Sequence, residues 1–140
     1  MGFLAALLLA ASPSGCGAAT TKALIADFVS AYNAGHAAQA ARYFAPTPTF
    51  RWFSTGPPAT RNGEASHARS TLLAYFRNRA GHHERIRIVK LGAGYDPARD
   101  IVNFGGKLTR RADDGRTPVK DFKGAADCLT GSPRLIVWSM

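Results

Sequence analysis

The chain is 140 residues long, 46% hydrophobic and 19% charged, with a formal net charge of +9. That length supports one domain with a real core, and no run of 18 apolar residues beyond the N-terminus offers an internal transmembrane helix. Arginine outnumbers lysine, and alanine and glycine abound, so the positive balance reads as compositional bias and solubility before it reads as an acidic partner.

The first residues differ from the rest. "FLAALLLAA", residues 3–11, is an apolar run of secretory length, too short to span a bilayer. "SPSGC" follows and resembles a bacterial lipobox, with Pro13 at the place usually held by leucine. Residues 1–15 are therefore expected to be a lipoprotein-type signal, residues 16–21 a linker, and residues 22–140 the domain. Cys16 is the expected lipidation site. Cleavage after Ala19 and a buried helix over 1–15 are the competing readings. Either cleavage leaves Cys128 without a cysteine partner in the mature chain. A lone cysteine among apolar residues is expected to be a small buried hydrophobe.

Thr20 and Thr21 are candidate N-caps for a first helix. Leu24, Ile25, Phe28, Ala31 and Tyr32 then recur at helical spacing. Gly35 is a natural stop, because glycine takes the left-handed conformation without steric cost. A short second helix is expected over 37–44, ended by Pro46 and Pro48. "TFRWFST", residues 49–55, reads as a strand, and "GPPATRNGEAS" as a loop. A third helix is expected over 65–80, with Gly81 as its stop. Strands follow: "ERIRIVKL", with Arg85 and Arg87 opposite in face to Ile86 and Ile88, then "DIVNFGGKLTRRA", whose paired glycines suggest a bend or bulge. "DDG" at 113–115 signals a hairpin. "VKDFKGAADCL" and "PRLIVWSM" are the last two strands. Helices gathered ahead of consecutive strands give an α+β fold: three N-terminal helices packed on a strongly curved, mostly antiparallel sheet, in the order α-α-β-α-β-β-β-β.

"FVSAYNAGHAAQAARYFAP" followed by a strand resembles the opening of the nuclear-transport-factor-2-like superfamily, which includes ketosteroid-isomerase-like and SnoaL-like proteins. The resemblance covers residues 20–140 in element order and is specific over 28–53. It implies a curved sheet and helices around a deep pocket. It implies no reaction, since the fold hosts enzymes, binding modules and dimerisation domains. Carried over residue by residue, the oxyanion-hole tyrosine of the steroid isomerases falls at Phe28, which has no hydroxyl to donate. Their general-base aspartate falls at Trp52, which accepts no proton from carbon. His36 replaces the acid that usually follows Asn-Ala-Gly. Asp121 and Asp127 are candidates for the remaining pocket acid. Phe28, Tyr32, Trp52, Phe76, Phe104 and Trp138 would converge on the cone as core and pocket wall together.

Other chemistry is sparse. Glu64 and Glu84 are the remaining conceivable site acids. "HHE" at 82–84 enters a strand with diverging side chains and lacks a second ligand set, so no metal and no cofactor is expected. His67 is expected to be an exposed helix-start residue. Arg85, Arg87 and Lys90 would lie on the outer sheet face, where no motif for nucleic acid accompanies them. The expected protein is exported and held at the cell envelope by its N-terminal lipid, or else secreted and soluble. Its expected partners are an apolar small molecule, an anionic membrane surface and a second copy of itself. Catalysis of the steroid-isomerase kind is not expected. A SnoaL-like isomerase, cyclase or hydratase and a dimerising module are the alternatives.

Overall fold

The computed structural model describes residues 16–46, 50, 69–129 and 131–140. The first helix, α1, spans Ala18–Asn33. It starts earlier than its threonines suggest, so residues 18–21 belong to the helix and not to a linker. Gly17 is the N-cap, and its N–H donates to Thr20 Oγ1 at 3.0 Å. Its end is as the sequence indicates. Gly35 has φ +75°, its N–H donates to Tyr32 O, and the His36 N–H donates to Ala31 O. Those two bonds satisfy the last carbonyls of the helix.

The helix α2 is Ala37–Arg42. The chain leaving it lies against the last strand, where the Ala45 N–H donates to Leu135 O at 2.7 Å and the Leu135 N–H to Tyr43 O at 2.8 Å. Phe50 is buried against Phe44, with ring centroids 5.2 Å apart. The rest of the strand expected over 49–55, the loop after it, and the third helix's start at 65–68 lie outside the described residues. The described third helix, α3, is Arg69–Gly81. Its left-handed residue is His83, at φ 53°, and not Gly81. The Glu84 N–H donates to Arg79 O and the His83 N–H to Ala80 O, so histidine fills the place glycine usually takes.

The strands β1 Arg85–Asp96, β2 Ile101–Ala112, β3 Gly115–Arg116, β4 Lys120–Asp127 and β5 Arg134–Ser139 form one antiparallel sheet. The order is β1-β2-β4-β5, with β3 paired to the end of β2. The β2–β3 hairpin turns on Asp113 and Asp114, with Ala112 opposite Gly115. Between Ile88 and Lys90 the register of β1 shifts by a bulge at Val89. The bulge stands opposite Leu108 and Lys107, next to the glycine pair, and a Cβ on Gly106 would overlap Lys90 O.

Alternation sorts the sheet's faces. Val102, Phe104 and Leu108 of β2 and Phe122 and Ala126 of β4 are buried beneath the helices. The other face carries Arg85, Arg87, Lys107, Arg111 and Lys123, all exposed. Asn33 fixes α1 to β1: its amide nitrogen donates to Ile86 O at 2.8 Å, and its amide oxygen accepts from the Ile86 N–H at 2.7 Å. The architecture is α+β, helices on one face of a curved antiparallel sheet.

Candidate functional site

The aromatic residues singled out from sequence do converge. Phe28 of α1 meets Trp138 of β5 at 4.9 Å between centroids, Phe76 of α3 at 5.7 Å and Tyr32 at 5.8 Å. Phe104 joins through Trp138 at 5.8 Å. These rings are buried and pack on one another as core. Trp52, the sixth of the set, lies outside the described residues, as do Glu64 and His67. Among the described residues, the buried Trp138 indole N–H has no hydrogen-bond partner.

The acids are placed otherwise. Asp121 is not a pocket acid: it stands on the outer sheet face, 84% exposed, and accepts from Lys107 Nζ at 2.8 Å. That lysine holds its carboxyl below the usual range. Period 2 explains the placement, since Asp121 and Phe122 point to opposite faces. Asp127 is buried at the far end of β4, opposite Ile101 and Arg134. Burial raises its carboxyl above the ordinary value, partly offset by the Leu129 backbone.

The acid that enters the interior is Glu84. Its Oε1 accepts from Tyr32 Oη at 2.7 Å and from Arg110 Nε at 2.9 Å, and its Oε2 from Arg79 Nε at 2.5 Å. Arg79 also donates through both terminal nitrogens to Asp114, at 2.8 Å each. Arg110 Nη2 donates to Tyr75 Oη at 3.0 Å. Burial, then the neighbouring Glu84 charge, raises the Tyr32 phenol well above 10, so it stays a donor. With both oxygens engaged by cations and a phenol, Glu84 is an ionic tie between α1, α3 and β2 and not an available base. Period 2 from Leu108 points to Arg110, and helical spacing from Leu72 points to Arg79. Both signals are present in the sequence, but a core arginine is unusual enough to be passed over.

The "HHE" side chains diverge. Glu84 turns inward, while His83 Nδ1 lies 2.6 Å from Asp113 Oδ2 in solvent. Cys16 and Cys128 form a disulfide, with Cα atoms 5.7 Å apart. The reading of Cys128 as a lone buried thiol is thereby corrected, since distant chain segments meet there. A lipid on Cys16 and this disulfide compete for one sulfur.

An apolar groove of about 410 Å³ runs between α1 and β1. Ile25 and Val29 of α1 and Ile88 and Leu91 of β1 line it. Lys22 stands at its end near the start of α1 and Asn33 at the other. Eleven helical steps separate them, about 16 Å. The volume is within the range of small-molecule sites. The sequence reading, drawn to the rings one helical step away, did not find it.

No family model and no curated protein matches the chain. Solved structures do. A nuclear-transport-factor-2-like protein of unknown function from Shewanella oneidensis superposes with a TM-score of 0.63 at 13% identity, covering 86% of this chain and 95% of that one. A protein of unknown function with a cystatin-like fold from Nostoc punctiforme gives 0.67 at 13% identity, covering 86% of each. A protein of the nuclear-transport-factor-2-like family from Streptomyces avermitilis, provisionally described as a dehydratase, gives 0.67 at 8% identity, covering 87% and 92%. The chain has the nuclear-transport-factor-2-like cone fold.

Proposed function

We propose that this nuclear-transport-factor-2-like domain is an exported binding protein for an elongated apolar molecule with an anionic end. The observation that carries the reading is the groove between α1 and β1. Its floor is aliphatic, its length suits a hydrocarbon chain, and Lys22 supplies a cation at one end. Lys22 is the exposed cation at that end of the groove, one turn into α1. The Asn33 side chain at the opposite end is committed to Ile86 and does not compete for the ligand.

Binding without catalysis is supported by the interior. Phe28 offers no hydroxyl, and Glu84 is engaged by three donors. Export is supported by the apolar run at 3–11 and by the disulfide, since disulfides persist in oxidising compartments. The enzymatic alternative of the SnoaL-like type now depends on Asp127, whose buried carboxyl is the observation in its favour.

The test is titration of the disulfide-intact protein with a fluorescent long-chain carboxylate and with its methyl ester. Tighter binding of the acid is expected, with a loss of at least about tenfold for Lys22→Glu, corresponding to roughly 1.4 kcal/mol. Val29→Trp, which fills the groove, should abolish binding of both. Equal binding of acid and ester, indifferent to both substitutions, would overturn the reading. Turnover lost specifically in Asp127→Asn would establish the enzyme instead.

A further inference from the structure

We infer, resting on the groove reading above, that the groove's ligand is the C-terminal segment of a polypeptide, added to the sheet as a strand along the free edge of β1. β1 is the edge strand of the sheet. The Ile86 N–H and C=O both turn away from β2, since both bond to the Asn33 side chain. Opposite Ile86, Arg110 also turns its N–H and C=O away from β1, toward Thr117. Antiparallel pairs alternate, so Ile86 with Arg110 is a non-bonded pair, and so is every second pair after it. Ile88 opposite Leu108 has the same sense, as do Leu91 opposite Gly106, Ala93 opposite Phe104 and Tyr95 opposite Val102 beyond the bulge. Each of these residues turns a backbone N–H and C=O to the open edge. Among the described residues, Asn33 is the group that bonds there.

The free backbone and the groove belong to the same residues. Ile88 and Leu91 line the groove with their side chains and border it with unpaired backbone groups. A hydrocarbon chain fills the groove and leaves those donors and acceptors to water, whereas an extended peptide satisfies both. Asn33 sets the precedent, because its amide gives Ile86 the pair of bonds a neighbouring strand would give. It also closes the start of the edge, so an added strand begins beyond it. The distance from Asn33 to Lys22 of about 16 Å takes about five extended residues. A terminal carboxylate then meets Lys22, and the added strand runs parallel to β1.

Charge selects the partner's side chains and rejects a second copy. Every other residue of the added strand faces the groove and is apolar. The residues between lie on the outer face beside Arg87 and Lys90, both exposed, where acidic side chains fit. Pairing β1 with β1 of a second copy would instead bring Arg85, Arg87 and Lys90 against their equivalents. The chain's own C-terminus is engaged elsewhere, with Met140 buried in the core just past β5. The partner is therefore another polypeptide, ending in alternating acidic and apolar residues and a free carboxylate.

The experiment is fluorescence anisotropy of the disulfide-intact protein with a labelled hexapeptide that alternates glutamate and valine and ends in leucine with a free carboxylate. Binding is expected, with a loss of at least about tenfold for the C-terminal amide. Two further peptides carry N-methyl groups on alternate peptide nitrogens, in opposite phases. The phase that blocks the N–H groups facing β1 should lose at least about tenfold, and the other should stay within about threefold of the parent. Leu91→Pro removes a free N–H without touching the ladder to β2, a change that edge strands tolerate. It should bind the hexapeptide at least about tenfold more weakly than Leu91→Ala, while the two variants bind the long-chain carboxylate alike. Equal binding of both methylated phases and the parent, or of acid and amide, would overturn the inference. A long-chain carboxylate that binds where the hexapeptide does not would overturn it and leave the groove reading standing. Failure of both probes would overturn both.

Discussion

A single buried carboxylate organises the polar interior. Glu84 pairs with two buried arginines, Arg79, which it shares with Asp114, and Arg110, and its own charge is acceptable only because they are there. Glu84→Gln should therefore cost about 3–5 kcal/mol, the usual penalty for breaking a buried pair, measured by chemical denaturation with an unchanged slope. Asp114 is tied to the same network from nearer the surface, and the Arg79 hydrogen bonds hold its carboxyl below the ordinary range. A folded-state value below the unfolded one gives stability that is present above the unfolded value and is lost as pH falls through the folded one. Asp114→Asn should then melt below the wild type at pH 7, and the gap should close as pH drops below about 4. Parallel melting curves from pH 7 to pH 3 would contradict this.

Among the elements, two contacts decide how sheet and helices meet. Asn33, the asparagine of "YNAG", acts as a strand partner for Ile86. The family-like motif thus has a local physical reason in this chain: the helix must end where its last side chain can reach β1. In the sheet, Gly124 faces Trp138 across β4–β5, and a Cβ there would come within 2.4 Å of the Phe104 ring and 2.2 Å of Val137 O. The bare backbone is what lets Phe104 lie between the strands. Gly124→Ala should destabilise by about 1–3 kcal/mol through overpacking, whereas Gly94→Ala, with open space around its Cβ, should cost far less. Comparison of the two in urea separates steric exclusion from general strand effects.

Across the whole molecule, the disulfide closes the chain over a separation of 112 residues. It pins the start of α1 to the end of β4 and reduces the freedom of the unfolded chain. Cys16→Ser with Cys128→Ser should lower stability by about 2–4 kcal/mol. Protein recovered from its native compartment should show no free thiol and a mass two hydrogens below the reduced chain. A mass carrying acyl chains on Cys16, with Cys128 free, would instead establish the lipid anchor expected from "SPSGC".

Much of this architecture is legible in the sequence because it rests on local periodicity. Leu24, Ile25, Phe28, Ala31 and Tyr32 mark α1, Val102, Phe104 and Leu108 mark the inner face of β2, and "DDG" marks the β2–β3 hairpin. These patterns need no partner to be read, since backbone geometry alone puts residues three or four apart, or two apart, on one side. What the sequence could not decide depends on which distant faces meet. The pairing of Cys16 with Cys128, the joint burial of Arg79, Arg110 and Glu84, and the opening between α1 and β1 each need segments brought together by the fold. Asp121 is the plainest case: a carboxylate one residue from a core phenylalanine lies on the far side of a sheet, and only the register against Lys107 shows what it faces.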